Sequence, residues 1–245
     1  MEVRSDFCRG EICAFHRPAP QQQPTIAEIV KHVATDEFKH QHALVIGGSR
    51  GLGEITAKIL AAGGAQVTIT YCNGETDAAR VVNECQHVGL AMQMIPFDVC
   101  DAIKNIKNHL AAQLAATHLY YFATPTITLG QRGQFDTELY QRFCCFYVDG
   151  FINTVLALCG NDAALRVVFY PSTIFLDHRP NDGAEYIAAK AEGEALCKFL
   201  ASHYKLHVLA PRLPRLATDQ TASIYRIQKE DTLTTMLDAI RMEKP

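Results

Sequence analysis

Six short apolar runs recur along the chain from residue 41 onward, and amphipathic helical patterns separate them. The runs are HALVI (42–46), AQVTITY (65–71), LAMQMI (90–95), HLYYFA (118–123), RVVFY (166–170) and LHVLA (206–210). They are nearly continuous in hydrophobicity and rich in β-branched and aromatic residues, which is typical of strands covered on both faces. Strands that alternate with helices predict an α/β fold: a Rossmann-type, doubly wound parallel sheet of about six strands with helices on both faces.

The first 40 residues follow a different pattern. EVRSDFCRGEICAFHRP predicts two short strands about a turn, and PAPQQQP predicts a linker. TIAEIVKHV predicts a short helix whose apolar stripe consists of Ile26, Ile29, Val30 and Val33. We therefore expect an N-terminal extension, residues 1–40, that contacts another domain or chain, and a main domain, residues 41–245. A last amphipathic helix is predicted from Leu233, Met236, Leu237 and Ile240.

Composition excludes several classes of function. The net charge of -3 gives no electrostatic reason to expect nucleic acid. No apolar run approaches the roughly 20 residues needed to span a bilayer, so no membrane is expected. The nine cysteines are scattered, with no C-x-x-C and no histidine cluster at zinc-ligand spacing. We expect no metal, reduced cysteines and a cytoplasmic protein.

A glycine-rich turn follows the first predicted strand. In VIGGSRGLGEITAKILAAGG, Gly47, Gly51 and Gly53 allow a tight turn and a close backbone approach to a pyrophosphate. The helix that begins there supplies amide donors and a partial positive charge. Because the turn joins a strand to a helix within βαβ units, it predicts a dinucleotide-binding domain over residues 41–245.

The end of the second strand indicates which dinucleotide. A site that prefers NAD places a carboxylate there for the ribose hydroxyls. This chain has Thr70, Tyr71 and Cys72, with no acid until Glu75. Arg50, within the glycine turn, can pair with a 2′-phosphate. The pattern favours NADP(H) over NAD(H).

At this point the chain resembles the short-chain dehydrogenase/reductase family, in its compact single-domain branch, over roughly residues 41–220. ALVIGGSRGLG is similar to the family's T-G-x-x-x-G-x-G turn, and FDV (97–99) to its D-V after the third strand. YIAAK matches the Y-x-x-x-K motif, YPST the catalytic serine, and LAPRLPRLATDQT the P-G-x-x-x-T segment, with Arg212 where glycine is usual. The resemblance implies cofactor contacts at Gly47, Ser49, Arg50, Gly51, Leu52, Gly53, Tyr71, Asp98, Val99, Ala123, Thr124, Tyr186, Lys190 and Pro211.

The same resemblance implies a catalytic set of Ser172, Tyr186 and Lys190. In the family the tyrosine protonates a carbonyl oxygen while NADPH delivers hydride to its carbon. A lysine ammonium one helical turn away stabilises the phenolate. Ser172 would hydrogen-bond the substrate oxygen, and Thr173 is the competing candidate for that role. The expected activity is NADPH-dependent reduction of a small or acyl-type ketone.

Two departures from the family pattern support an alternative. YFATP (121–125) stands where the family has N-N-A-G, and YVDG places Tyr147 where an asparagine anchors a proton-relay water. An NADP-binding sensor or interaction subunit with little turnover is therefore the second hypothesis. We expect a homodimer through two long helices (about 136–160 and 183–202), with a monomer as the alternative.

Overall fold

The computed structural model describes residues 22–113, 115–128, 133–159, 164–178, 180, 182–216, 218 and 231–242. The strands are β1 (His42–Ile46), β2 (Gln66–Tyr71), β3 (Met92–Pro96), β4 (His118–Tyr121), β5 (Val167–Phe169), β6 (Ser172–Thr173), β7 (His207–Leu209) and β8 (Arg212–Leu213). The α-helices are α1 (Ile26–Ile29), α2 (Gly51–Ala62), α3 (Glu75–Gln86), α4 (Ile103–Leu110), α5 (Thr137–Cys144), α6 (Gly150–Leu158), α7 (Ala184–Tyr204) and α8 (Thr232–Arg241). A π-helical segment, Cys145–Asp149, joins α5 to α6, and 3-10 turns lie at Ala111–Gln113 and Ile174–Leu176.

Six strands form one sheet in the order β3-β2-β1-β4-β5-β7, and every neighbouring pair is parallel. The chain runs outward from β1 in both directions, through β2 on one side and β4 on the other. The carboxyl ends of β1 and β4 therefore border the crevice where doubly wound sheets bind ligands. The predicted Rossmann-type fold is confirmed, and the six predicted strands are all present, with ends shifted by at most two residues.

A second, two-stranded sheet pairs β6 with β8 in parallel, so that Ser172 lies opposite Arg212 and Thr173 opposite Leu213. Strands of two residues are too short to produce a periodic pattern, and the sequence did not predict them.

The side chains of β1 show why helices cover both faces of the sheet. Ala43 and Val45 pack into one core cluster with apolar residues of α2, α3 and α8. Leu44 and Ile46 pack into the other, with residues of α4, α6 and α7. Successive strand residues point to opposite faces, so an uninterrupted apolar run needs a helical layer on each side.

The two ends of the described chain are attached to this core. The predicted hairpin and most of the linker lie within residues 1–21, outside the described residues. Ile26, Ile29 and Val33 are buried as predicted, whereas Val30 is 46% exposed. The predicted last helix is present as α8, and its apolar residues, Leu233, Met236, Leu237 and Ile240, are all buried. The division of the chain at residue 40 stays a prediction.

A buried ion-pair network fastens the start of the described chain to α2 and α3. The Lys58 ammonium lies 2.8 Å from Glu54 and 2.7 Å from Glu84, and the side chains of Lys58 and Glu54 are 1% exposed. Arg80 donates two hydrogen bonds to the Glu54 carboxylate. The backbone amide of Ile26 donates to Glu84 at 2.8 Å. Since each buried charge has an opposite charge beside it, the network is electrically compensated.

The prediction of reduced cysteines is wrong for one pair. A disulfide joins Cys100 to Cys145, whose Cα atoms are 5.8 Å apart. The two cysteines are separated by 45 residues, and their proximity follows from the packing of the loop after β3 against the π-helical segment. Cys72, Cys85, Cys144, Cys159 and Cys197 are free thiols. Within the described ranges, no helix combines the length and apolar character required to cross a membrane.

Candidate active site

The glycine turn forms a backbone cradle at the carboxyl end of β1. Gly47 and Gly51 have φ values of 77° and 56°, in the left-handed region that side chains disfavour. A Cβ on Gly53 would lie 2.3 Å from the Gly47 carbonyl oxygen, so only glycine fits there. The Thr70 hydroxyl accepts a hydrogen bond from the Gly47 amide at 3.1 Å. A bare turn at the N-terminus of the 12-residue helix α2 fits the pyrophosphate of a dinucleotide.

The other predicted cofactor residues lie at the same edge of the sheet. Ser49, Arg50 and Leu52 belong to the turn and first residues of α2, Tyr71 ends β2, Asp98 and Val99 follow β3, Ala123 and Thr124 follow β4, and Pro211 follows β7. The parallel order of the strands brings these segments together. Their assignment to a cofactor stays a prediction.

Arg50 carries an ion pair that its sequence position did not reveal. Its Nε lies 2.6 Å from a carboxylate oxygen of Asp77, on α3, and the two side chains are 18% and 14% exposed. Residues 71–73, at the end of β2, contain no acid. The thiol of Cys72 faces Asp98 instead; burial, followed by that carboxylate, raises the pKa of Cys72. Arg50 is thus a cation of this corner, and it is held in an ion pair by Asp77.

Helix α7 carries Tyr186 and Lys190 one turn apart, as their spacing predicts. The Tyr186 ring packs edge-on against Phe143 and Tyr147, with centroids 5.7 Å away in both cases. Burial raises the pKa of Tyr186 to about 12, and the Thr173 hydroxyl lowers it in part. The phenol is therefore fully protonated at neutral pH.

The two candidates for the substrate-oxygen donor, Ser172 and Thr173 of β6, have different partners. Ser172 donates a hydrogen bond of 2.5 Å to Glu194 on α7. Thr173 faces the Tyr186 phenol. Both side chains are buried, at 4% and 5% exposure, and alternation along the strand sends them in different directions. Of the two, Thr173 is the hydroxyl next to Tyr186.

Lys190 is buried at 6% exposure, and its ammonium donates to the Pro171 carbonyl at 2.7 Å. The nitrogen lies 4.0 Å from the ring centroid of Tyr147 and 4.7 Å from that of Tyr170. Burial lowers the pKa of Lys190 to about 7. The group consequently changes charge near neutral pH.

Tyr147 lies in the π-helical segment and is 2% exposed. Its hydroxyl forms a 2.5 Å hydrogen bond with Thr124. The sequence places Tyr147 where the family has an asparagine, and it does not predict the contact of Tyr147 with Lys190. A π-helical turn, which frequently marks a functional site, has no periodic signature of its own in the sequence.

Arg212, which stands where the family has glycine, connects three segments of the site. It donates to Glu194 through Nε at 2.9 Å and through a terminal nitrogen at 2.7 Å. It also pairs with Asp177, which follows the 3-10 turn after β6. One side chain thus ties α7, β8 and the segment after β6 together.

The fold and the glycine cradle define a dinucleotide-binding α/β protein. A family model for short chain dehydrogenases matches residues 41–210. The chain belongs to the short-chain dehydrogenase family of oxidoreductases.

Solved structures agree with this assignment at the level of the fold. The chain is similar to a short chain dehydrogenase from Burkholderia cenocepacia in complex with NADP, with a TM-score of 0.72 and 21% identity, over 85% of this chain and 92% of that one. It is also similar to a blue fluorescent protein from a metagenomic library in complex with NADPH, with a TM-score of 0.73 and 16% identity, over 84% of this chain and 91% of that one.

One curated relative matches a shorter stretch. L-rhamnose 1-dehydrogenase (NADP(+)) from Thermoplasma acidophilum is 31% identical over 71 residues, which cover 29% of this chain and 28% of that enzyme. The match thus spans less than a third of the relative's length.

Proposed function

We propose that this protein is an NADPH-dependent carbonyl reductase that converts a ketone to an alcohol, with Tyr186 as the general acid. The observation that carries the proposal is the arrangement around Tyr186. A protonated phenol faces the Thr173 hydroxyl, with Lys190 one turn further along α7, at the edge of the sheet that also holds the glycine cradle. An acid beside a second hydroxyl donor is what a developing alkoxide requires.

NADP(H) is the cofactor that the residues of this corner favour. The end of β2 lacks the carboxylate that binds the ribose hydroxyls of NAD, and Arg50 lies within the glycine turn. Two solved relatives hold NADP or NADPH, and the curated relative is named for NADP(+). Gly47, Gly51 and Gly53 would cradle the pyrophosphate, and Arg50 would pair with the 2′-phosphate.

Residues of the chain supply the proton that the carbonyl oxygen takes up. When bound, NADPH supplies the hydride that reaches the carbonyl carbon. Thr173 donates a hydrogen bond to the carbonyl oxygen and holds it against Tyr186. Tyr186 gives its proton to that oxygen as negative charge develops there, so that the alcohol and a tyrosine phenolate result. The ammonium of Lys190, in its protonated form, stabilises this phenolate until solvent returns a proton.

The test is the consumption of NADPH with a panel of small ketones and acyl-type β-ketothioesters. We expect turnover in the wild-type protein and its loss in Tyr186→Phe, which removes the acid and keeps the ring. Tyr140→Phe is the matched control, because Tyr140 hydrogen-bonds Glu192 on the exposed side of α7. Turnover retained in Tyr186→Phe would refute the assignment of the acid.

One observation favours the second candidate, an NADP-binding sensor or interaction subunit with little turnover. The Lys190 ammonium is engaged by the Pro171 carbonyl and by aromatic rings, and burial raises the pKa of Tyr186 more than the Thr173 hydroxyl lowers it. Tight NADPH binding with no reduction of any ketone in the panel would establish this alternative.

We also propose a homodimer through the helical layer of α5, α6 and α7. Near its C-terminal end, α7 presents Phe199 and Tyr204, each 42% exposed, and Phe199 stacks on His203 at 4.4 Å. Light scattering of the purified protein tests this proposal, with Phe199→Glu expected to yield a monomer. The cytoplasmic location stays a prediction from the scattered cysteines, and the disulfide of Cys100 with Cys145 does not favour it.

A further inference from the structure

The Lys190 ammonium is surrounded by aromatic faces and a carbonyl. Its nitrogen donates to the Pro171 carbonyl and lies 4.0 Å and 4.7 Å from the ring centroids of Tyr147 and Tyr170. Among the described residues, no carboxylate lies within ion-pair distance of it. Ring faces carry partial negative charge, and a cation within about 6 Å of a centroid is attracted to them.

Hydrogen bonds to the π-helical segment and its neighbours fix both rings in place. The Tyr170 hydroxyl donates to the Tyr147 carbonyl at 3.2 Å. The Tyr147 hydroxyl bonds Thr124, whose own proton goes to the Pro125 carbonyl at 3.1 Å, so Tyr147 is the donor. The Tyr121 hydroxyl donates to the Phe146 carbonyl at 2.6 Å. Phenols at the ends of two neighbouring strands, Tyr121 in β4 and Tyr170 after β5, thus satisfy two consecutive carbonyls of this segment.

Two glycines provide the room for these phenols. A Cβ on Gly193 would lie 2.0 Å from the Tyr170 hydroxyl oxygen. A Cβ on Gly150 would lie 2.9 Å from the Tyr121 hydroxyl oxygen. Gly193 is three residues beyond Lys190 on α7, so the helix that carries the lysine also admits the ring that covers it. The backbone on both sides is therefore shaped to this cluster.

We propose that Tyr147 and Tyr170 are positioning residues whose ring faces hold the Lys190 ammonium in its charged form, one helical turn from Tyr186. The inference rests on the proposed function, because it assigns a role to the lysine of the same site. The two rings and the Pro171 carbonyl replace water around the buried ammonium. We call Tyr147, Tyr170 and Pro171 the lysine cage.

Titratable groups from three elements lie around Lys190. Tyr186, Glu194 and Cys197 lie on its own helix, and Glu194 is neutralised in part by Arg212. Tyr147 comes from the π-helical segment and Tyr170 follows β5. The three tyrosines and Cys197 all have raised pKa values, with burial as the main cause, and are neutral near pH 7. The rings consequently act through their faces and not through net charge.

The test is an NMR titration of Lys190 in protein labelled with carbon-13 at lysine Cε, without cofactor, with Lys190→Arg to assign the signal. At position 147, phenylalanine keeps the ring face, whereas trifluorophenylalanine keeps the shape and withdraws the negative charge from the face. We expect phenylalanine to leave the titration midpoint near that of the wild type. Trifluorophenylalanine at position 147 should weaken proton binding by the Lys190 amine by about threefold to thirtyfold.

Position 143 supplies the matched control. Phe143 is 1% exposed and stacks on Tyr147 at 5.9 Å. Trifluorophenylalanine there should leave the midpoint unchanged. An equal midpoint for phenylalanine and trifluorophenylalanine at position 147 would overturn the cage, because ring charge would then have no effect on the lysine.

Kinetics keep this inference distinguishable from the proposed function. The pH profile of ketone reduction should move with the NMR midpoint in the position 147 variants. If no ketone is reduced, the proposed function fails, and the NMR midpoints still decide whether the cage exists. If a ketone is reduced and the phenylalanine and trifluorophenylalanine variants have equal midpoints, the lysine cage is refuted and the proposed reductase function is retained.

Discussion

The Ser172 hydroxyl lies 2.5 Å from a carboxylate oxygen of Glu194, and this contact turns it away from Tyr186. Its neighbour Thr173 faces the phenol instead. The residue that aligns with the family's catalytic serine is thus used to fasten β6 to α7. Under the proposed function, Thr173 takes the role of substrate-oxygen donor.

Single substitutions at these two positions should therefore have unequal effects on ketone reduction. Thr173→Val, which keeps the shape and removes the hydroxyl, should lower kcat by about a hundredfold, since it removes one hydrogen-bond donor to the developing alkoxide. Ser172→Ala should lower kcat by less than about tenfold, through the position of β6 alone. Steady-state kinetics with the same ketone decides between the two residues. A larger loss in Ser172→Ala than in Thr173→Val would reverse the assignment.

The pH dependence of ketone reduction should follow Lys190. Burial lowers its pKa to about 7, so the ammonium is present below that pH and is lost as the pH rises through it. In the proposed mechanism the ammonium stabilises the Tyr186 phenolate, and the rate of reduction should therefore fall above about pH 7. Rates measured at saturating ketone and NADPH between pH 5 and pH 9 are the check on this. A rate that increases across the whole range would mean that the neutral amine is the active form.

Arg50 and Asp77 should have opposite effects on NADPH affinity. Arg50→Ala removes the cation offered to the 2′-phosphate and should weaken NADPH binding by about tenfold to a hundredfold, with NADH nearly unaffected. Asp77→Asn removes the anion that competes for Arg50, at 2.6 Å, and should strengthen NADPH binding. Titrations that follow nicotinamide fluorescence give both dissociation constants. Equal losses for NADPH and NADH in Arg50→Ala would place the arginine away from the 2′-phosphate.

The buried carboxylate of Glu54 should be important for stability. Glu54→Gln keeps the shape and leaves Lys58, whose side chain is 1% exposed, with less compensation. Leaving a buried charge without a partner costs about 3–5 kcal/mol of unfolding free energy. Glu84 stays 2.7 Å from Lys58, so this range is the upper limit of the expected loss. Urea unfolding followed by circular dichroism measures the change. Glu28→Gln, at the exposed start of α1, is the control and should cost about 1 kcal/mol or less.

Much of the fold was predictable because it depends on patterns that repeat. Each strand of the main sheet is an apolar run, and the glycine turn lies at a strand-to-helix junction, so both follow from spacing alone. The position of Tyr186 and Lys190 one turn apart on α7 follows from the helical period.

The parts of the site that the sequence did not predict depend on contacts between segments that are distant along the chain. Arg50 meets Asp77 across 27 positions, and Ser172 meets Glu194 across 22. The disulfide of Cys100 with Cys145 and the position of Tyr147 over Lys190 both depend on the π-helical segment. A one-residue widening of a helix changes which side chains face the site, and no sequence period records it.

The most direct test of the central claim follows the hydride itself. NADPH carrying deuterium at the transferred position of its nicotinamide is mixed with an accepted ketone, and the alcohol is analysed by mass spectrometry. We predict that wild-type protein yields an alcohol one mass unit heavier, from carbon-bound deuterium, and that Tyr186→Phe yields almost none. Bound NADPH with no deuterium in the product, or equal transfer by Tyr186→Phe, would contradict a reductase that uses Tyr186 as its acid.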